Sequence, residues 1–288
     1  MDSLFKQLAV TFRTGGVLVR LLFINIGIFL IIRFTDVAFT LFDVRQWSFL
    51  AWLQLPSSPN DLLFRPWALF TYMFTHFDVW HILFNMLLLY CFGRIFVDFF
   101  SPRRLGSVYL LGGVAGGLFY MLVYNVFPFF ADQAGGSMLL GASASVMAIV
   151  FAVAFYRKDF EIGLLFIGRI KLIYVAMGVM LVDILSITSS NAGGHIAHIG
   201  GALLGAIFAV RLKAGSDFTA WISRLLDKVE NIGKRSPKLK VTYNTQNIRQ
   251  HQADPAEDID IILEKIKQSG YSSLSSKEKS ILFEASKR

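Results

Sequence analysis

Charge is scarce in this chain. Only 17% of its 288 residues are Asp, Glu, Lys or Arg, while 55% are hydrophobic, against about 25% and about 45–50% in soluble domains. That ratio excludes a water-soluble surface over most of the chain. Cysteine is nearly absent as well. The single Cys91 lies inside an apolar block, which excludes an intramolecular disulfide and a cysteine metal cluster and says nothing of compartment. The N-terminal MDSLFKQLAVTFRTGG runs into a long apolar block interrupted by Arg20 and Arg33, without a small-residue cleavage site after a short apolar core. The first block therefore reads as an uncleaved span and not as a signal peptide.

What is present is grouped hydrophobicity. The apolar residues form blocks near or above the roughly 18–20 residues that cross a bilayer. Six spans are expected, at about 17–35, 79–100, 106–127, 141–157, 170–188 and 196–212, the fourth and sixth being short and rich in small residues. The fold class expected is an all-α polytopic membrane protein, a six-transmembrane-helix bundle with a small cytoplasmic helical tail. The connection 36–78, with Trp47, Trp52 and Trp67, reads as an interfacial loop holding short helices.

The net charge of +8 does not point to nucleic acid, because Lys and Arg sit between apolar blocks and in the last third. Arg94, Arg103 and Arg104 follow the second span, and Arg157, Lys158, Arg169 and Lys171 surround the turn between spans four and five. The loops 128–140 and 189–195 carry neither residue. By the positive-inside rule both termini are cytoplasmic, so spans two, four and six begin on the outer face.

The chain divides into a cytoplasmic N-terminus (1–16), the six-helix domain (17–212), an interfacial helix with a basic linker (213–256) and a C-terminal helical motif (257–288). In 216–230, Phe218, Trp221, Ile222, Leu225, Leu226 and Val229 share one helical face opposite Arg224 and Lys228, the pattern of a helix on a membrane surface. In the last segment Gly270 ends a first short helix, and Ser275 with Glu278 offers a capping box to a second.

Polar residues inside spans are costly and ask for a partner or a task. Four gather at one depth. His81 and Asn85, four apart, share a face at the start of span two; Ser143 opens span four in Gly141-Ala142-Ser143-Ala144; and His198 opens span six in GGHIAHIGGALLG. A serine beside a histidine is the minimum nucleophile–base pair, the imidazole taking the hydroxyl proton and returning it to the leaving amine. The Ser143 backbone N–H, the Asn85 amide and the His81 ring would supply oxyanion donors. Each residue also has a plainer reading: a lone serine in a membrane helix usually bonds its own backbone or a neighbouring helix, and His81 and Asn85 serve equally as interhelical bonds. Ala197, Gly201, Gly205 and Ala209, like Ala144, Ala148 and Ala152, are small-residue packing stripes.

Taken together, His76-x4-His81-x3-Asn85, Gly141-x-Ser143 and His198-x2-Gly201-x3-Gly205 resemble the ordered motifs of the rhomboid family of intramembrane serine proteases, over roughly residues 60–212. The resemblance implies Ser143 as nucleophile, His198 as base, His81 and Asn85 as oxyanion donors, His76 as a structural histidine, no metal and no cofactor. His195 is a rival base, but only His198 stands at the family's distance from both glycines. The chain departs from the family at Ala144, where glycine is usual, at Met147, where an aromatic commonly packs on the histidine, at Trp67-Ala68, where Trp-Arg is common, and at Val97, where an acid is frequent. Asp183, in the outer part of span five, reads as pairing within the bundle, with orientation of His198 the second choice.

The expected activity is a serine endopeptidase hydrolysing bonds in or beside transmembrane helices of membrane-protein substrates. A catalytically silent escort of membrane helices is the alternative, and such relatives typically lack the serine or the histidine. A channel or transporter predicts polar residues continuing through the membrane, whereas Met86–Tyr90 and Val146–Ala154 are almost wholly apolar. Partners are membrane-protein substrates and lipid, not nucleic acid. The expected location is a bacterial cytoplasmic membrane, with the site opening outward.

Overall fold

A computed structural model describes residues 2–44, 48–164, 168–231 and 255–286. It forms two compact units, Met1–Ile232 and Gly233–Arg288. The basic linker expected over 231–256 and the loop residue Trp47 fall almost wholly outside the described residues. Within the first unit, α1 (Asp2–Thr14) and α2 (Val17–Leu41) lead to three short helices, α3 (Phe49–Leu53), α4 (Pro59–Phe64) and α5 (Ala68–Thr71). The long helices α6 (Val79–Phe99) and α7 (Pro102–Val126) follow, then α8 (Ser143–Tyr156), α9 (Leu172–Leu185), α10 (Ala192–Lys213) and α11 (Ala220–Asn231).

Among the described residues, α2, α6, α7 and α10 are long and apolar enough to cross a membrane, and α8 and α9 are shorter apolar helices. The short pair is thus the fourth and fifth expected spans, because α10 has 22 residues and α9 only 14. Large apolar side chains such as Ile31 and Phe34 on α2 and Leu83, Phe84 and Leu87 on α6 point outward. Outward-facing apolar surface is the pattern expected where lipid, not water, is the solvent.

The core is built around α8. Every residue from Ala144 to Ala154 is buried, because α7 and α10 pack on it at backbone distance. A Cβ added to Gly201 or Gly205 of α10 would collide with the carbonyl oxygens of Ala144 and Ala148. On the α7 side, a Cβ at Gly116 would stand 2.6 Å from the Ala144 Cβ. With little hydrophobic drive between helices in lipid, such close packing of small residues is what holds them together.

The connection before α6 is a folded scaffold and not an open coil. Residues 55–56 (β1) pair antiparallel with 138–139 (β2), Leu55 opposite Leu139 and Pro56 opposite Met138. Tyr72 donates its hydroxyl to the Gly113 carbonyl at 2.5 Å, Tyr109 donates to the Met73 carbonyl at 2.8 Å, and Asn125 Nδ2 donates to the Ser57 carbonyl at 2.8 Å. The Trp67 indole N–H bonds the Trp52 carbonyl at 2.9 Å, and the two indoles stack. Arg65, two residues before Trp67, donates to the Ala51 carbonyl at 2.8 Å, while Ala68 is fully buried. A second hairpin, β3 (Glu161–Leu164) with β4 (Gly168–Lys171), joins α8 to α9.

Helix α11 begins at Ala220 and docks on the start of α7. Arg104 pairs with Asp217 at 2.8 Å, Arg103 with Asp227 at 2.6 Å, and the Ser107 and Ser223 hydroxyls lie 2.9 Å apart. Ile222 is buried while Trp221 and Leu225 remain exposed, so only part of the amphipathic face seen in the sequence is left for a membrane surface. The second unit is a helical hairpin of α12 (Pro255–Ser269) and α13 (Ser276–Ala285). Gly270 turns the chain with φ +78°, Ser275 and Glu278 form the capping box, and Lys265 bonds Glu278 at 2.6 Å.

The contact of α10 with α8 predicts the fate of its glycines. Gly201→Val is expected to destabilise by about 1–3 kcal/mol or more through overpacking, whereas Gly178→Ala on α9, whose added Cβ meets nothing within 4 Å, is expected to be neutral. Melting temperatures in detergent decide this, and equal values for the two variants contradict the packing described.

Candidate active site

The site begins with a turn. Gly141 has φ +117°, a conformation a side chain resists, and its N–H is held by the Tyr72 carbonyl at 3.0 Å. The next amide, Ala142 N–H, donates to His76 Nε2 at 3.4 Å. Two successive backbone groups of this turn are thereby fixed by the folded connection before α6. Ser143 is then the first residue of α8, with Ala142 as N-cap and no side-chain cap. Its backbone N–H belongs to a helix first turn, where amides have no intrahelical acceptor.

Gly141 also admits His81. A Cβ there would fall 2.8 Å from His81 Nε2 and 3.8 Å from Ser143 Oγ, so both atoms lie within 4 Å of one point. The His81 backbone N–H is capped by Asp78 at 2.8 Å, and its ring meets that of His76 edge-on, centroids 5.1 Å apart. Gly201, three residues beyond His198, packs on the carbonyl of Ala144, the residue after Ser143. Ser143, His81 and His198 therefore share one end of the bundle.

Asn85 is buried and donates Nδ2 to the His81 carbonyl at 2.9 Å. That bond lies within α6, not between helices as the plainer reading had it, and it leaves one of the two amide hydrogens uncommitted. Ser143 Oγ makes no hydrogen bond among the described residues, and His198 uses Nδ1 alone. The serine and the histidine are thus not hydrogen-bonded to each other, and catalytic hydrogen bonds are often long before a substrate binds.

Two of the departures from the family pattern lie close to this site. Ala144 is helical with no positive φ, so it needs no glycine freedom, and Gly116 leaves room for its methyl. Met147 lines a cavity of about 690 Å³ between α6, α8 and α9, together with Leu88, Cys91, Ile95, Val150 and Val179. This space is almost entirely apolar, and its lining runs from Val146 to Gly163 of β3, which follows the end of α8 opposite Ser143.

Asp183 is the residue the sequence undervalued. Its Oδ1 lies 2.8 Å from His195 Nδ1 and 2.9 Å from His198 Nδ1, and the side chain is buried. A carboxylate only accepts, so each Nδ1 carries its proton, and the lone pair of neutral His198 is placed on Nε2. Orientation of His198, the second choice from sequence, is what the structure contains, together with pairing to His195. Asp183, His195 and His198 are also the one group of histidine and acid side chains, among the described residues, whose ligand atoms converge, all within 4.8 Å.

His76 lies outside the spans and is fully buried. Burial, with His81 as the second cause, lowers its pKa from 6.5 to about 3, in keeping with the acceptor role of Nε2. A folded value below the unfolded one gives stability that is present above pH 6.5 and is lost as pH falls toward 3. Acidification from pH 7 to 4 is expected to cost on the order of 3 kcal/mol through this group. Melting temperatures of wild type should therefore fall more steeply over that range than those of His76→Gln, whose amide oxygen can still accept from Ala142; parallel curves contradict the assignment.

Comparison with known proteins gives the same frame. A family model described as the rhomboid domain matches residues 64–214, and a family of unknown function matches residues 243–288. The chain is similar to the mitochondrial RHOMBOID-like protein 12 of Arabidopsis thaliana, 31% identical over 51% of this chain and 47% of that protein. It is also similar to the mitochondrial presenilin-associated rhomboid-like protein A of Danio rerio, 29% identical over 46% and 34%. A third relative is the rhomboid-related protein 1 of Caenorhabditis elegans, 29% identical over 53% and 43%. The chain spans less than half the length of each of these relatives, and two of the names are mitochondrial, which lends the expected bacterial membrane no support. Matching over half the chain, and over all the motifs that converge on Ser143, the rhomboid domain assigns this chain to the rhomboid family.

Proposed function

We propose that the chain is an intramembrane serine endopeptidase that cleaves membrane-protein substrates in or beside their transmembrane helices. The observation that carries this reading is the turn at Gly141, which delivers Ser143 to the head of a fully buried helix beside His81. On this reading α2, α6, α7, α8, α9 and α10 are six crossings. Helix α8 would be about 21 Å long at about 1.5 Å per residue, short of a roughly 30 Å hydrocarbon core, so the buried turn before it would lie below the outer surface. Both termini would be cytoplasmic, by the charge of the loops.

A substrate helix must unwind locally, because its carbonyls are held in its own hydrogen bonds. The apolar cavity between α6, α8 and α9 offers lipid-side entry, and polar groups at the outer end offer water. Ser143 Oγ attacks the exposed carbonyl carbon while His198 Nε2 takes its proton. The oxyanion is met by the Ser143 N–H, the free Asn85 amide hydrogen and His81. Collapse breaks the C–N bond, the amine leaves with the proton from His198, and water repeats the sequence to release the acyl group.

Cleavage of a transmembrane-helix reporter by purified protein in liposomes tests this. Ser143→Ala and His198→Ala are expected to lose cleavage, and Asn85→Ala to lose about 10²–10³ in kcat if its amide meets the oxyanion. A helix-binding escort would leave the reporter intact with wild type and variants alike, and undiminished cleavage by folded Ser143→Ala would overturn the mechanism.

A further inference from the structure

We propose that Asp183, His195 and His198 form a binding site for a divalent cation of the Zn²⁺ class, and that its occupation reversibly removes the general base. The second half rests on reading His198 as the base. The three residues come from adjacent helices: Asp183 from α9, and His195 and His198 three apart on one face of α10. Their ligand atoms already converge within 4.8 Å.

The hydrogen bonding of the cluster is lopsided. Asp183 Oδ1 takes both imidazole donors, while Oδ2 is buried without a partner. A buried carboxylate with an unused oxygen lies beside two imidazole nitrogens, and the two histidine side chains are each 21% exposed, enough for an ion to reach them. Two nitrogens and a carboxylate are the donor set of many Zn²⁺ sites with an open fourth position. Zn²⁺ with bonds of about 2.0–2.1 Å sets tetrahedral neighbours about 3.3 Å apart. The present carboxylate-to-imidazole separations of 2.8 and 2.9 Å would open by about half an ångström. Mg²⁺, which prefers six oxygens, does not fit this set.

The inhibitory effect follows from the tautomer. With Nδ1–H bonded to Asp183, neutral His198 keeps its lone pair on Nε2 and can take the serine proton. A metal at Nδ1 needs a lone pair on that nitrogen, so the ring proton moves from Nδ1 to Nε2. His198 then has no basic nitrogen left for Ser143. No proton is lost from the ring and nothing is oxidised or reduced; the hydrogen bond is exchanged for a coordinate bond at the same atom.

Calorimetric titration of ZnCl₂ into tag-free, full-length Ser143→Ala in detergent tests binding without cleavage. One ion per chain is expected, with affinity lowered at least tenfold by adding His195→Ala or Asp183→Asn and no comparable heat from MgCl₂. Equal binding with and without His195→Ala, or no stoichiometric binding, overturns the site. The rate of reporter cleavage in Zn²⁺ divided by that in EDTA is expected to be below one tenth for wild type and near one for His195→Ala. Stoichiometric binding with wild-type cleavage unaffected by Zn²⁺ overturns the inhibitory role alone. Binding without cleavage under any condition supports the site and counts against the protease reading.

Discussion

The rest of the structure depends on how closely α8 is approached by its neighbours. Helix backbones meet at this distance only where side chains are nearly absent, and Gly201 and Gly205 of α10 supply that absence against the Ala144 and Ala148 carbonyls. Gly116 supplies it from α7. The consequence is chemical as much as structural. A helix gripped along its length presents its first turn in one fixed place, and Ser143 is the first residue of that turn. Catalytic groups need positions held to fractions of an ångström, which buried rigid elements give and loops do not.

The other end of this constraint is polar. In an apolar bundle a backbone group without a partner is expensive, and the irregular segment 55–78 would be costly were its groups not taken up. They are: Tyr72 and Tyr109 link it to α7, the β1–β2 pair links it to the segment before α8, and His76 accepts the Ala142 amide. The same bonds that make irregular backbone tolerable also hold the turn that carries Ser143. A neutral buried His76 suits this role because a protonated ring would lose the acceptor that Ala142 uses.

Much of this was legible in the sequence because it is local. The long helices follow the apolar blocks to within a few residues at most ends, and His81 and Ser143 fall at helix starts as expected, whereas α10 begins at Ala192 and places His198 in its second turn. Helix α2 runs on to Leu41, past the expected end, since nothing in FTDVAFTL breaks a helix. What was not legible depends on pairing between distant positions. Asp183 and His198 are fifteen residues apart on different helices, and no period or motif announces a hydrogen bond across a helix pair. Asp217 and Arg104 are still farther apart, so a helix that the sequence suggested for a membrane surface docks partly on protein. Asn85 shows the opposite case: its spacing from His81 was plain, yet the first bond it makes is to its own helix, as polar side chains in helices commonly do.

Asp183 also ties access to chemistry. It sits on α9, a short helix with most of its large apolar side chains exposed, and α9 forms one wall of the apolar cavity it shares with α6 and α8. A wall that is weakly buried is one that can shift at low cost, since few packed contacts oppose it. On the proposed reading, a displacement of α9 that moved Asp183 away from His198 would release the ring from the tautomer that makes Nε2 basic. On that reading one helix would meet two demands: outward movement to admit a substrate, and return to align the base. The pairing with His195 bears on the second demand, because two imidazoles on α10 draw Asp183 back where one would otherwise act alone.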